Sequence, residues 1–98
     1  MAVAVEMTFE GATLDEYDQV CGKIGYEPRG LGEDKGLFHW AAATPTGLRV
    51  VDVWESEDAF QEFVATKLGP VSAELGLAEP DAVILEVHNY LYGPSLGR

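Results

Sequence analysis

Hydrophobic and polar residues alternate along four segments of the chain, and this period of two predicts four β-strands. The segments cover residues 2–9, 37–44, 48–54 and 82–91. One alternate set in each segment is mainly apolar: Val3/Val5/Met7/Phe9, Phe38/Trp40/Ala42, Val51/Val53 and Val83/Leu85/Val87. The other set mixes apolar with titratable side chains. Each strand is therefore predicted to have one apolar face and one face that carries chemical groups.

Two further segments have apolar residues at three- and four-residue spacing, which predicts helices between the strands. The first covers residues 13–25, and Thr13 and Glu16 at its start form a capping-box pattern. The second follows Ser56 and is interrupted near Gly69-Pro70. Because proline has no backbone donor, we expect two helical pieces or a kink there.

The order strand, helix, strand, strand, helix, strand predicts a ferredoxin-like α+β fold with a four-stranded antiparallel sheet. We expect residues 1–93 to form a single domain and residues 94–98 a flexible tail. The apolar sets are expected to face the helices, which leaves the mixed face uncovered. That face would expose several large apolar residues: Leu37, Val50, Trp54, Ile84 and Tyr90. Pairing of two copies through this face, as a homodimer, is the simplest way to cover it.

The composition and net charge argue against some classes of binding partner. The 98 residues include 17 acidic and 6 basic side chains, for a net charge of −11. This charge repels phosphate backbones and anionic lipid, so we expect neither nucleic acid nor a membrane as partner. Cys21 is the single cysteine, so no intrachain disulfide forms, and neither a signal peptide nor a membrane-spanning run is recognisable. These features predict a cytoplasmic protein.

The second and third strands place a histidine and a carboxylate together. A tight hairpin turn at Pro45-Thr46 puts His39 directly opposite Asp52, and Leu37 opposite Trp54. A carboxylate on one imidazole nitrogen fixes the tautomer and leaves the other nitrogen free as a general base. A shift of one residue would move His39 to the other face. A purely structural ion pair is the alternative.

The last strand contributes a second group of candidates. Glu86, His88 and Tyr90 share one face of it, and Glu6 of the neighbouring first strand is expected beside them. Carboxylates in one semi-enclosed space cannot all ionise cheaply, so at least one is expected to have a raised pKa. The candidate catalytic residues are thus His39, Asp52 and His88, and the candidate substrate-binding residues are Trp54, Glu6, Glu86, Tyr90, Val50 and Leu37. Tyr17 and Tyr26 could supply a hydroxyl at the mouth of the cavity that the mixed face is expected to line.

Motifs for other kinds of chemistry are missing from the sequence. It has no serine nucleophile elbow, no Cys–His pair and no dinucleotide fingerprint, which argues against covalent catalysis and hydride transfer. Two histidines and several carboxylates could hold a metal, but their spacing does not follow a ligand pattern. We therefore expect no metal site and no cofactor.

The segment from Val50 to Phe60, with Phe63 and Leu68-Gly-Pro70, resembles the dimeric α+β barrel superfamily. A strand that ends in Trp-Glu-Ser and leads into an acidic helix start is similar to the small antibiotic-biosynthesis-monooxygenase-like proteins in particular. Cofactor-free anthrone oxygenases of this superfamily use a Trp near the end of the third strand, with Asn and Arg helpers. Trp54 matches that Trp, whereas Val50 occupies the Asn position and the last strand offers no Arg.

Together, the residues and the resemblance predict a cofactor-independent enzyme that abstracts a proton from a small hydrophobic or aromatic, polyketide-like substrate. The reaction would be of the monooxygenase or cyclase/isomerase type, since the superfamily hosts several chemistries as well as non-catalytic members. The alternative is a non-catalytic homodimer that binds a small ligand.

Overall fold

The computed structural model describes residues 1–96 and confirms the ferredoxin-like α+β fold. The elements are β1 (Val3–Glu10), α1 (Leu14–Ile24), β2 (Gly36–Thr44), β3 (Gly47–Trp54), α2 (Glu57–Phe63), a π-helical segment (Val64–Leu68), α3 (Gly69–Glu74) and β4 (Asp81–Glu86). The strands form one antiparallel sheet in the order β2-β3-β1-β4. No helix among these residues is long and apolar enough to cross a membrane.

Both ends of α1 are fixed by side-chain and backbone caps. The Thr13 hydroxyl accepts the Glu16 amide at 3.2 Å, and the Glu16 carboxylate accepts the Thr13 amide at 3.0 Å, so the predicted capping box is confirmed. At the other end Gly25 has a φ of 105°, a conformation that favours glycine, and its amide binds the Cys21 carbonyl at 2.9 Å. These caps set the position of the helix face that carries Tyr17.

The β2–β3 hairpin has the predicted two-residue turn at Pro45-Thr46, and its register places His39 opposite Asp52 as expected. The prediction for the start of β2 was wrong. Trp54 pairs with Gly36 while Val53 pairs with Phe38, so Leu37 lies in a β-bulge and does not oppose Trp54.

The assignment of the sheet faces was correct for β1 and wrong for the other three strands. Opposed residues of an antiparallel pair share a face, and Val5 of β1 opposes Asp52 on one side and Ile84 on the other. The set that contains His39, Asp52 and Trp54 therefore lies with the apolar set of β1 on the inner face, which we define as the helix-covered side. The buried core of that side comprises Val3, Val5, Met7, Leu48, Val50, Trp54, Ala59 and Phe60.

The opposite side, here called the outer face, is mainly apolar and uncovered. Its rows can be followed across the whole sheet from the strand registers. One row is Phe38, Val53, Ala4 and Leu85, and the next is Trp40, Val51, Glu6 and Val83. Glu6 therefore lies on the outer face, away from Glu86 and Asp52, contrary to the expectation of one shared acidic site.

The last strand is shorter than predicted and ends at Glu86. Glu86 opposes Val3, and the Val87 amide then binds the Ala2 carbonyl at 2.9 Å. His88 and Tyr90 lie beyond the end of β4, outside the sheet. Of the predicted tail, residues 94–96 form an exposed turn, and residues 97–98 lie outside the described part of the chain.

The interruption of the second helix is a π-helical turn rather than a break. Pro70 cannot donate a backbone hydrogen bond, and the preceding Gly69 amide binds the Val64 carbonyl five residues earlier. A Cβ atom on Gly69 would lie 2.7 Å from that carbonyl oxygen. Glycine is thus required here by a close backbone approach.

We predict that Gly69→Ala destabilises the protein by about 1–3 kcal/mol, the usual cost of forcing an atom into filled space. Gly22→Ala is the matched control, because a Cβ atom on Gly22 of α1 would meet no packing neighbour within 4 Å. That change should stabilise the helix by roughly 0.5–1 kcal/mol. Urea denaturation followed by circular dichroism gives both values. A Gly69→Ala protein as stable as the wild type would contradict the wide turn at Val64.

Candidate functional site

A buried carboxylate on β3 is the centre of the candidate site. Asp52 is 4% exposed and lies on the inner face between the core residues Val50 and Trp54. Its Oδ1 atom is 2.5 Å from His39 Nδ1, and its Oδ2 atom accepts the indole N–H of Trp54 at 3.1 Å. Both oxygens of the carboxylate therefore have a partner, as burial of a charged group requires.

The ring of Trp54 is held on its other sides by the second helix. Its centroid lies 5.1 Å from that of Phe63 and 6.0 Å from that of Phe60. Because Asp52 and Trp54 are two residues apart on one strand, their side chains point to the same face and meet directly. The sequence predicts both residues for the site, and the structure brings them together.

The pairing with Asp52 determines which nitrogen of His39 carries the proton. An ionised carboxylate only accepts hydrogen bonds, so Nδ1 carries the hydrogen and Nε2 is left with a lone pair. The His39 side chain is 46% exposed, whereas Asp52 is buried. The pair thus extends from the core to the surface along the inner side of the hairpin.

Tyr17 of α1 occupies the nitrogen that the sequence analysis left free. Its hydroxyl lies 2.5 Å from His39 Nε2, and the planes of the two rings are nearly parallel, with an interplanar angle of 12°. Since Nε2 is the acceptor, the phenol is the donor. Burial raises the pKa of Tyr17 well above its usual value, and the neighbouring Cys21 thiol and the Asp52 and Asp18 carboxylates raise it further. The hydroxyl therefore stays protonated.

A cleft of about 220 Å³ opens on the other side of Trp54. Its walls come from the second helix and from the loop before β2, and its lining includes Trp54, Phe63, Glu33 and Lys67. Lys67 binds Glu33 at 2.7 Å, and the Tyr26 hydroxyl donates to the same carboxylate. This Glu33 contact joins the loop to the π-helical segment at the edge of the cleft.

Hydrogen bonding determines the charge state of Glu33. Burial by itself would raise the pKa of this carboxyl, but the hydrogen bonds from Lys67 and Tyr26 outweigh it and hold the pKa below its usual value. The same contact acts on its partner in the opposite direction, because burial and the Glu33 carboxylate raise the pKa of Tyr26. Tyr26 is thus committed to Glu33 and does not reach His39.

The remaining predicted site residues lie elsewhere. Glu86 is on the inner face but exposed at the edge strand, and Val50 is part of the core. His88 is exposed in the bend after β4. Leu37 and Tyr90 line a separate groove of about 440 Å³ beside the outer face, together with Phe38, Val53 and the segment after β4. Within residues 1–96 no group of three or more His, Cys, Asp or Glu side chains is arranged to hold a metal ion.

The contact between Glu33 and Lys67 should add stability only where Glu33 is ionised. A lowered folded-state pKa gives a contribution that is present above the unfolded-state pKa and is lost as the pH falls through the folded-state value. We predict that Lys67→Met costs about 0.2–1 kcal/mol near neutral pH, and that the difference from wild type disappears as the pH falls through the lowered folded-state pKa of Glu33. Urea titrations at a series of pH values measure this difference.

Lys23→Met is the control, because it removes a more exposed pair in which Glu74 is 61% exposed. A smaller effect than that of Lys67→Met is expected from it near neutral pH. A difference between Lys67→Met and wild type that grows on acidification would contradict the assignment of Glu33.

Comparison with known proteins finds solved structures with a similar fold. No family model and no curated protein matches the sequence. Among solved structures, a Deinococcus radiodurans protein described as an antibiotic biosynthesis monooxygenase superimposes with a TM-score of 0.58 and 15% identity, over 94% of this chain and 97% of that one. A variant of SnoaB, a cofactor-independent oxygenase from Streptomyces nogalater, gives a TM-score of 0.56 and 15% identity, over 92% and 94%. The chain has the fold of the antibiotic-biosynthesis-monooxygenase-like proteins, as the Trp-Glu-Ser segment and the order of elements predict.

Proposed function

We propose that the protein is a cofactor-independent enzyme that abstracts a proton from a small hydrophobic or aromatic, polyketide-like molecule, in a reaction of the monooxygenase or cyclase/isomerase type. The observation that carries this proposal is the pair of His39 and Asp52, in which a half-exposed imidazole is bound to a buried carboxylate. The descriptions of the two similar structures, a monooxygenase and a cofactor-independent oxygenase, support the reaction type.

The pair has the electrostatics that a general base needs. When neutral His39 takes a proton at Nε2, the imidazolium that forms is paired with the adjacent Asp52 carboxylate. Trp54 binds the second carboxylate oxygen, which fixes the carboxylate in the orientation that meets Nδ1. The substrate anion is the other product, and it can then react with oxygen, cyclise or isomerise.

The cleft beside Trp54 is separate from the base. Trp54 and Asp52 lie between it and His39, and apart from Trp54, Ala59 and Phe63 its lining side chains are charged or polar. A substrate that gives up a proton to the base therefore approaches from the exposed side of the imidazole, since the His39 side chain is 46% exposed.

One observation favours the alternative, a non-catalytic protein that binds a small ligand. His39 Nε2 is not free, since the Tyr17 hydroxyl occupies it. In that case the four side chains Tyr17, His39, Asp52 and Trp54 would serve only to join α1 to the hairpin. A measurement of proton transfer separates the two functions.

We predict that the protein accelerates the decomposition of 5-nitrobenzisoxazole, a small planar carbon acid that reports on a base. Loss of its ring C–H proton forms the nitrile triple bond from the C–H electron pair and breaks the N–O bond, releasing a coloured phenolate. His39→Ala should lower kcat/KM by about 100-fold or more, and Asp52→Asn should lower it as well, because an amide does not hold Nδ1 protonated.

His88→Ala is the matched comparison, because it removes the second histidine, which lies in the exposed bend after β4. We expect it to keep the wild-type rate. Equal rates for wild type and His39→Ala would exclude His39 as a base and leave the binding function.

We also propose that two copies pair through the outer face. Phe38, Trp40, Val83 and Leu85 are each more than 40% exposed there, and they lie in adjacent rows across the sheet. A continuous apolar surface of this kind is unusual on a soluble monomer. A two-fold axis would bring the same rows of the second copy against it. This surface is opposite to the one that the sequence analysis expected to pair.

Leu85→Asp should therefore convert a dimer to a monomer in native mass spectrometry, because it places a charge within the apolar rows. Leu31→Asp is the control, since Leu31 is 93% exposed in the loop before β2 and lies away from the sheet. A wild-type protein that is monomeric at micromolar concentration would refute pairing through the outer face.

A further inference from the structure

Tyr17 connects α1 to the hydrogen-bonded series of the candidate site. It lies on α1, and its hydroxyl is hydrogen-bonded to His39 Nε2 at 2.5 Å. Asp52 binds the other ring nitrogen, Nδ1. The planes of the two rings are nearly parallel, 12° apart, and their centroids lie 5.9 Å apart, so the rings meet edge to edge at this hydrogen bond. The contact crosses from the helix layer to the edge strand β2.

This geometry has a consequence for any proton that reaches His39. The only lone pair of the imidazole points at the Tyr17 hydroxyl, so a substrate does not meet Nε2 directly while that contact is made. A phenol that donates its hydrogen still has acceptor capacity on its oxygen. The Tyr17 oxygen is therefore the atom at the outer end of the hydrogen-bonded series that begins at Trp54.

We propose that Tyr17 is a catalytic residue that relays the substrate proton to His39, an inference that rests on the proposed function. In one concerted step the substrate gives its proton to the Tyr17 oxygen as the original phenol proton moves to His39 Nε2. One O–H bond breaks and one forms at Tyr17, which ends the step neutral. His39 becomes an imidazolium paired with Asp52, and the substrate keeps the electron pair as an anion.

The surroundings of Tyr17 suit a relay better than an independent base. Besides His39, the titratable groups around it are Cys21 and Asp18 on its own helix and Asp52 on β3. Burial and these groups raise the pKa of Tyr17, and burial also raises the pKa of the Cys21 thiol. Neither side chain is ionised near neutral pH, so only the Asp52-supported imidazole is available to take up the proton.

The test compares Tyr17→Phe with wild type in the 5-nitrobenzisoxazole assay. Phenylalanine keeps the aromatic ring at this place on α1 but has no hydroxyl to pass a proton. We expect kcat/KM to fall by about 100-fold, within the range that a positioned acid–base group contributes. Because both residues act in one path, Tyr17→Phe combined with His39→Ala should be no slower than His39→Ala alone.

Three results of this assay would each overturn the relay, in different ways. A Tyr17→Phe rate equal to or above wild type, with His39→Ala still slow, would show that the hydroxyl only caps Nε2, and the proposed function would stand. Additive losses in the double variant would show that Tyr17 acts on a separate path. Wild type no faster than His39→Ala would remove the proposed function and the relay together.

Nitrogen NMR of the histidine side chains separates relay from positioning. In wild type and in Tyr17→Phe, we expect His39 to keep the tautomer with hydrogen on Nδ1, because Asp52 rather than Tyr17 determines it. A slow Tyr17→Phe variant with the opposite tautomer would mean that Tyr17 merely positions the imidazole, and would overturn the relay. An unchanged tautomer together with a slow rate supports it.

Discussion

The burial of one carboxylate constrains the rest of this structure. Asp52 lies on the helix-covered side of the sheet, where an ionised group without donors would cost several kcal/mol. The Trp54 indole and the His39 imidazole supply those donors, one to each oxygen. Trp54 lies on the same strand as Asp52, so only the His39 contact depends on the register that the Pro45-Thr46 turn gives to β2 and β3. A slip of one residue would leave Oδ1 of this carboxylate without its donor in the core.

The contact that stabilises the buried carboxylate also orients the His39 imidazole. Because Asp52 accepts from Nδ1, His39 presents a lone pair at Nε2, and α1 provides Tyr17 to bind it. The series Tyr17, His39, Asp52 and Trp54 thus leads from the helix layer, through a half-exposed imidazole, to the buried ring beside the cleft. The hydrogen bonds on both sides of the imidazole depend on one tautomer of His39. A series that runs from the surface to the core in this way is a suitable arrangement for moving one proton.

The two sides of the sheet differ in composition. The inner face holds the polar series together with the core, whereas the outer face carries two apolar rows with Glu6 as their one charged member. A ferredoxin-like sheet has helices on one side only, so no helix covers these rows. The polar series and the exposed apolar rows thus lie on different faces, and substitutions on one need not disturb the other.

The sequence by itself determined the elements and one decisive contact. Local signals suffice for these features: the capping box at Thr13, the tight turn and the periods of two and 3.6 are all read within a few residues. The pairing of His39 with Asp52 follows from the turn, because a two-residue hairpin leaves a single register. The sequence pattern of Trp54 and its acidic helix start likewise indicated the fold that the similar structures share.

Only the tertiary structure decided which strand faces lie together. Alternation within one strand does not say which of its two sets joins the apolar set of β1; that depends on the long-range pairing of Val5 with Asp52 and with Ile84. The same pairing moved Glu6 to the outer face, and the end of β4 at Glu86 left His88 and Tyr90 outside the sheet. The contact of Tyr17 with His39 depends on where α1 packs over β2, a distance of 22 residues along the chain, and no local pattern contains that information.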